Sequence, residues 1–505
     1  MLPVMEARSI RGRRTIARGG MAGPALGAAA LVVVLVVGYA AATRAGVDVT
    51  TLLLVLAAGL PAVALSGFAA ARRPVWIVAA VAFLMAFSGS LAGNYDANVT
   101  PAVWLLLLGL LAATFAGYLN AGRAGTLVVW PGIAALGGYL VFSVVQIPFA
   151  ETTEIGARAF VAGPALMVAF FALAYARWSP ATRWRIAQAF VLVAVAAGLY
   201  AMFRLAVGPS AGERSLVQLS ADVAGDPSLF GSFPNRLQLG AWSAIAIPFL
   251  LSVALGARGR WRALAIAATA LMIVALLGSE VRTALLGAGL GIVVAGLFLQ
   301  ATRSLKGEAP KAFIAIAALA VAGMIGFGLT VGSDRESSER FSRILSPGQD
   351  YSFQARVEKW NVALEEINDN PIGQGLGTAG TTQRQYSKTY RLDNKYIDNS
   401  YLQLGIQQGY PGWILLGLGL GLIGYMIARS SLATSDPRLA AIGCGAVASL
   451  VTWAVVLLTG DMLTSWAALL MWMLLGLAAG GFVAPSARRG GRVVEKRRPL
   501  RSADR

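Results

Sequence analysis

The chain has 505 residues, of which 57% are hydrophobic and only 13% charged, and its mean hydropathy is +0.66. Soluble domains carry roughly 25% charged residues, so this composition excludes an ordinary globular protein and points to one that crosses the membrane many times. The net charge of +18 would suit nucleic acid, but its distribution along the chain excludes that reading.

A spanning helix needs about 20 apolar residues, and about 14 such runs are legible. They are 24–43, 50–70, 74–93, 102–119, 127–147, 159–178, 184–205, 237–255, 262–279, 283–299, 312–331, 412–428, 439–460 and 463–482. The division between 262–279 and 283–299 is the least marked, because only Glu280 to Arg282 separates them. The expected fold is therefore all-α and polytopic, with a large helical extracytoplasmic loop.

With the N-terminus in the cytoplasm, the alternation of spans puts most basic connections inside. These include Arg8 to Arg18, Arg72 and Arg73, Arg123, Arg177 to Arg185, Arg258 to Arg262, Arg303 to Lys311, Arg429, Arg438 and the tail after Pro485. Topology thus accounts for the charge, with membrane lipid and not nucleic acid as the surrounding partner. The first run precedes Ala40-Ala41-Ala42, as a signal peptide would. It is longer than the usual 7–15 apolar residues of such a peptide, roughly speaking, and is expected to be retained.

The resulting organisation is a cytoplasmic basic N-terminus (1–23), transmembrane helices with an outer loop (24–236), and helices bearing Arg282 (237–331). A large extracytoplasmic loop (332–399), C-terminal helices (400–484) and a cytoplasmic basic tail (485–505) follow. Cys444, the single cysteine, falls inside a span, so the outer loop has no disulfide and must be held by packing. There is no histidine. The usual side chain for proton transfer near neutral pH and the commonest metal ligand are both missing, and no cofactor or metal is expected.

The polar stretch 332–399 has internal order. Phe353, Val357, Trp360, Leu364 and Ile367 recur at helical spacing and predict an amphipathic helix over 351–369, capped by Asp350 and stopped by Pro371. Such a helix lies on the membrane surface or on the spans, with Arg356 and Lys359 at its apolar edge. Pro371-Ile372-Gly373-Gln374-Gly375-Leu376-Gly377 predicts a tight turn. It lacks the strand–turn–helix context of a nucleotide-binding loop. Tyr386, Tyr390 and Tyr396 follow among basic residues. Residues 400–408 read as a short helix with Asp398 or Asn399 as its cap, Gly409 as its end and Pro411 opening the next span.

Several residues have two readings. Arg282 either snorkels or pairs with Glu280, or it binds phosphate through its planar guanidinium. Arg236 shares that duality, and so, with less support, do Arg204 and Arg214. Arg356 is a solvated rim charge or a ligand contact. Asp398 is either a helix cap or a general base for an acceptor hydroxyl. Tyr401 hydrogen-bonds a substrate or anchors its helix at the interface.

Four motifs in order resemble the O-antigen ligase and polymerase (Wzy/WaaL-like) superfamily of bacterial membrane glycosyltransferases. Gly231-Ser232-Phe233-Pro234-Asn235 is similar to its Gly-x-Phe-x-Pro-Asn element, one residue shorter. Ser279-Glu280-Val281-Arg282-Thr283-Ala284 is similar to its Ser-Arg-Gly-Ala element, with two extra residues before the arginine. Arg356, Trp360 and the stretch from Asn370 to Gly377 resemble its loop signature. Asp398-Asn399-Ser400-Tyr401-Leu402, followed by Gly409-Tyr410-Pro411-Gly412, resembles its His-Asn-x-Tyr-Leu…Gly-x-x-Gly element. The likeness covers the second half of the chain; the earlier runs are generic.

The resemblance implies transfer of a glycan from a polyprenyl-pyrophosphate donor to a hydroxyl on a glycan or lipid-glycan acceptor, without a metal, at the outer face of the bacterial inner membrane. It assigns catalysis to Asp398 and Arg282, and substrate binding to Arg236, Asn235, Arg356, Asn399, Tyr401 and Gln374. The family's histidine is aspartate here. An aspartate accepts a proton but supplies no cation, so the arginines must carry the pyrophosphate charge. That departure favours a polymerase or ligase for a surface polysaccharide over the lipopolysaccharide-specific enzyme. The alternatives are a lipid-linked oligosaccharide flippase, a class that usually shows inverted repeats and broken midplane helices and that leaves the nearly uncharged spans and the large outer loop unexplained, and a non-catalytic envelope-assembly scaffold.

Overall fold

The computed structural model describes residues 49–120, 130–219, 229–302, 351–381, 383, 397–458 and 460–483, and all regular structure among them is helical. In chain order the helices are α1 (Val49–Arg72), α2 (Pro74–Ala86), α3 (Ser88–Tyr95), α4 (Thr100–Asn120), α5 (Pro131–Val145), α6 (Thr153–Ala162), α7 (Val168–Ala174) and α8 (Pro180–Val207). Then come α9 (Ala211–Leu219), α10 (Arg236–Gly256), α11 (Arg260–Gly278), α12 (Arg282–Ala301), α13 (Tyr351–Asp369), α14 (Ser400–Ala433), α15 (Pro437–Val456) and α16 (Trp466–Val483).

Among the described residues, 9 helical segments are long and apolar enough to cross a membrane. They correspond to the runs from 102–119 to 283–299, with 412–428 and 439–460. This makes the chain a multi-pass membrane protein, with fewer spans in view than the expected 14 or so. Runs 24–43 and 312–331, Asp350, Tyr386, Tyr390, Tyr396 and both charged termini lie outside the described residues.

Runs 50–70 and 74–93 depart from expectation. Residues Pro61–Arg72 and Pro74–Ala86 form a pair bent by 119°, a broken span or a re-entrant loop. The bend falls at Arg72-Arg73-Pro74, where proline opens the next helix. Helix α2 has 13 residues, about 20 Å of rise, too little to span alone. The chain breaks at Phe87, and Ser88-Gly89-Ser90 starts α3. The last run forms the shorter apolar helix α16.

Helix α10 is the centre of the bundle. Every residue from Leu239 to Leu255 is buried, the pattern of a helix with neighbours on all sides. It packs against α11, α12, α15 and α16. Trp242 packs on Phe233 at 5.6 Å, and Trp453 meets Trp472 edge to face at 5.5 Å. In a membrane, close helix approach depends on small residues. Gly287 and Gly291 of α12 supply it: a side chain at either would run into Thr452 of α15. The Thr452 hydroxyl donates to Gly287 O at 3.0 Å.

Helix α13 forms over the predicted residues, with its buried stripe rotated by one position. Ala363 and Ile367 are buried and Trp360 half-buried, whereas Leu364 is 43% exposed. The stripe packs on Leu402 and Ile406 at the start of α14, so the partner surface and not the largest side chains selects the face.

Candidate functional site

The site is organised by a break in α14. Gly409 has φ +59°, in the left-handed region, and Pro411 follows it two residues on. Proline has no N–H, so Gln407 O loses its helical donor. Tyr410 N donates instead to Pro371 O at 2.9 Å, which leaves Ile406 O unpaired as well. The glycine turn repairs both losses: Gln374 N donates to Ile406 O at 2.9 Å and Gly375 N to Gln407 O at 3.0 Å. Further along, Leu376 N donates to Gln146 O at 3.2 Å, and Gly377 N to Gln407 Oε1 at 3.1 Å. Gly375 has φ +103°, and a Cβ there would collide with the Phe149 backbone. The turn is therefore a graft into the broken helix, which buries backbone polar groups that must be paired.

The start of α14 is held by Ser400 N, which donates to Leu457 O at 2.9 Å, and by Gln403 Nε2, which donates to Ile397 O at 2.6 Å. Asn399 is the N-cap, its Oδ1 accepting from Tyr401 N at 3.0 Å and Leu402 N at 3.3 Å. Asp398 is thus released from capping, and its Oδ2 lies 3.8 Å from Arg356 Nη2 of α13, with both side chains partly exposed. The structure brings Arg356 and Asp398 together. Other residues from the motifs have structural partners. Tyr401 OH donates to Ala454 O at 2.7 Å, Gln374 Nε2 donates to Glu366 at 2.9 Å, and Asn235 Oδ1 caps α10 by accepting from Gln238 N at 2.9 Å.

Arg236 and Arg282 are the first residues of α10 and α12. Both helix starts lie at the same end of the bundle as the start of α14. A side chain at Gly240 would meet Ser279 and Val281, and one at Gly460 would approach Leu237 at 3.8 Å. Ser400 joins that end, because its Oγ donates to Gly460 O at 2.7 Å and accepts from Met462 N at 2.8 Å. Helix N-termini carry partial positive charge. Two of the three converging helices open with an arginine. Glu280, just before Arg282, has φ +55°. A non-glycine residue in that region stores strain of the kind that gathers at functional sites.

One acidic residue escaped the motif reading. Asp461 Oδ2 accepts from Thr381 N at 3.0 Å, which ties the end of the glycine turn to the connection between α15 and α16. Burial raises its pKa above the ordinary 3.8, against hydrogen bonds from Thr381 and Thr464 that lower it. The available signal is its position: it stands in the two-residue gap between apolar runs 439–460 and 463–482. Beside it, a cavity of about 40 Å³ is lined by Ser400, Gln403, Gln407, Gln408 and Tyr139. That is room for water but not for a sugar. Among the described residues, no group of three or more Cys, Asp or Glu is placed to hold a metal ion.

Residues 267–417 match the family model described as O-antigen ligase. This stretch is less than a third of the chain and includes the Arg282 element, α13, the glycine turn and the Asp398 element; the Gly231–Asn235 element lies before it. Over this stretch the chain matches the family its motifs resemble, and the match supports a function in glycan transfer at a membrane. No curated protein matches the chain.

Proposed function

We propose that this protein is a membrane glycosyltransferase that moves a glycan from a polyprenyl-pyrophosphate donor to an acceptor hydroxyl on the outer face of the inner membrane, as a polysaccharide polymerase or O-antigen-type ligase. The observation that carries the reading is the pairing of Arg356 with Asp398 beside the capped start of α14, within the family-matched segment.

In this mechanism the acceptor hydroxyl attacks the anomeric carbon of the donor sugar, and its proton passes to the Asp398 carboxylate. The bond from that carbon to the pyrophosphate oxygen breaks, and polyprenyl pyrophosphate departs with the electron pair. Arg282, helped by Arg236, stabilises the charge that grows on the leaving group, in the field of the helix N-termini. Arg356 orients the base. No metal enters the reaction as written, because the arginines supply the positive charge.

The test is glycan transfer by the full-length protein in proteoliposomes, or recovery of surface polysaccharide in a strain lacking the gene. Asp398→Asn is expected to abolish transfer at normal expression, and unchanged activity rules out its role as base. Arg282→Ala is expected to do the same; full complementation by that variant supports a scaffold instead.

A further inference from the structure

A second polar assembly stands beside the first, on residues the transfer mechanism does not use. Helices α3 and α9 pack so closely that a Cβ on Gly93 or Gly212 would strike the backbone of the other helix. Between them, Glu213 is 1% exposed as a side chain and pairs with Arg204 of α8 at 2.9 Å. Tyr200 OH donates to Glu213 Oε1 at 2.6 Å, Ser90 Oγ donates to the same oxygen at 2.9 Å, and Ser210 N donates to Oε2 at 2.9 Å. Burial pushes the Glu213 pKa up, but these hydrogen bonds and the Arg204 charge together hold it below 4.5. The pair is a closed ionic unit with no net charge.

Over this unit lies a hollow of about 530 Å³, lined by Phe83, Phe87, Asn94, Tyr95, Tyr200 and Arg204. It adjoins the transfer site through the backbone. Gly89 N and Ser90 N both donate to Ser232 O at 3.0 Å, in the loop that runs through Asn235 into Arg236. The Ser232 hydroxyl returns a hydrogen bond to Ala86 O at 2.5 Å.

The chemistry of the lining selects the occupant. A phosphate needs an uncompensated cation, and Glu213 already neutralises Arg204. An alkyl chain would lie against the exposed Asn94 and offer nothing to its remaining hydrogen-bonding capacity. A neutral ring with an apolar C–H face and a rim of hydroxyls suits both halves of the wall. Phe83 and Phe87 stack at 4.5 Å, and Tyr200 meets Phe87 edge-on at 5.6 Å, which presents aromatic surface beside polar groups. The volume falls in the ordinary range for small-molecule sites, about 300–1,000 Å³.

We propose that this hollow is a glycan-binding subsite, which holds sugar units of a chain whose end reaches the transfer site. Its role in transfer rests on the function proposed above; its affinity for sugar does not. The test is saturation-transfer NMR on the full-length protein in nanodiscs free of glycosidic detergent. The probes are maltotetraose, cellotetraose, mannotetraose and chitotetraose, with farnesyl phosphate as the lipid control.

At least one tetrasaccharide is expected to bind, and Tyr95→Ala, at a residue 76% exposed, is expected to weaken it at least fivefold with the unfolding midpoint unchanged. Phe83→Ala gives a second reading of the same wall. The proposal is overturned if no tetrasaccharide binds, if both variants leave binding intact, or if the variants lose farnesyl phosphate and not sugar. Arg282→Ala is expected to retain sugar binding while losing transfer. Sugar binding alongside undiminished transfer by Arg282→Ala and Asp398→Asn sinks the transfer mechanism and leaves the subsite standing.

Discussion

Two of the arginine–carboxylate pairs among the described residues, Arg204–Glu213 and Arg356–Asp398, differ in almost every physical respect. Arg204 and Glu213 sit 2.9 Å apart, the acid sealed from solvent and bound by three further donors. Arg356 and Asp398 are 3.8 Å apart, with side chains 43% and 32% exposed. The first is a closed unit that joins α3, α8 and α9; it has no free valence for chemistry. The second is loose and open, as a pair must be if one member is to take up a proton. An ion pair at a membrane edge is thus read by its enclosure, not by its residue types.

The largest expected effect on stability comes from breaking the closed pair. Glu213→Ala leaves Arg204 partly buried without its counter-charge, at a cost on the order of 3 kcal/mol. Thermal unfolding in detergent measures it, and a loss below about 1 kcal/mol would place the pair with ordinary surface bridges. Acid reads the same contrast. Because the Glu213 pKa is lowered in the folded protein, its contribution is fully present above 4.5 and is lost as pH falls through the folded value. Asp461 runs the other way: its pKa is raised above 3.8, so its contribution is present below that value and is lost as pH rises through the folded one. Glu213→Gln should flatten the loss of stability on acidification, whereas Asp461→Asn should remove the opposing trend. Unfolding midpoints across the acid range test both signs.

Next in size is the scaffold that presents the open pair. Gly375→Ala puts a side chain at φ +103° against the Phe149 backbone, a strain of about 1–3 kcal/mol. Because the turn pairs the carbonyls freed by the α14 break, the damage should appear as local hydrogen exchange at 371–380 before global unfolding. Exchange that is unchanged there would mean the turn is not tied to the break. Asn399→Ala removes two cap hydrogen bonds and should cost about 1 kcal/mol, by the same unfolding measurement.

Much of this arrangement was legible in the residues. The amphipathic helix over 351–369, the helix end at Gly409 and the restart at Pro411 follow from periodicity and from glycine and proline chemistry. Asp398 and Asn399 are equal candidates as caps in the sequence, because both side chain types accept from helix amides; the hydrogen bonds of Asn399 Oδ1 to Tyr401 N and Leu402 N decide between them. The rotation of the α13 stripe from Leu364 to Ala363 depends on the surface of α14, which no local pattern encodes. Asp461 carried no motif, since its partner Thr381 is far along the chain. The bent pair α1–α2 read as two spans because hydropathy counts apolar residues and is blind to the direction of the chain at Arg72-Arg73-Pro74.

The smallest effect on stability is the most telling. Asp398 does not cap its helix, and its contact with Arg356 is long and exposed, so Asp398→Asn should change stability by less than about 0.5 kcal/mol. Asparagine keeps the shape of the side chain and removes its capacity to accept the hydroxyl proton. If Asp398 is the base, transfer falls at least a hundredfold, since general-base catalysis contributes typically 10²–10⁴-fold, roughly. The closed pair predicts the reverse order of effects, with Glu213→Ala costing stability at a residue that takes no part in the transfer step. Should Asp398→Asn instead destabilise the protein and spare turnover, the two pairs would have exchanged roles, and the distinction drawn from their enclosure would be wrong.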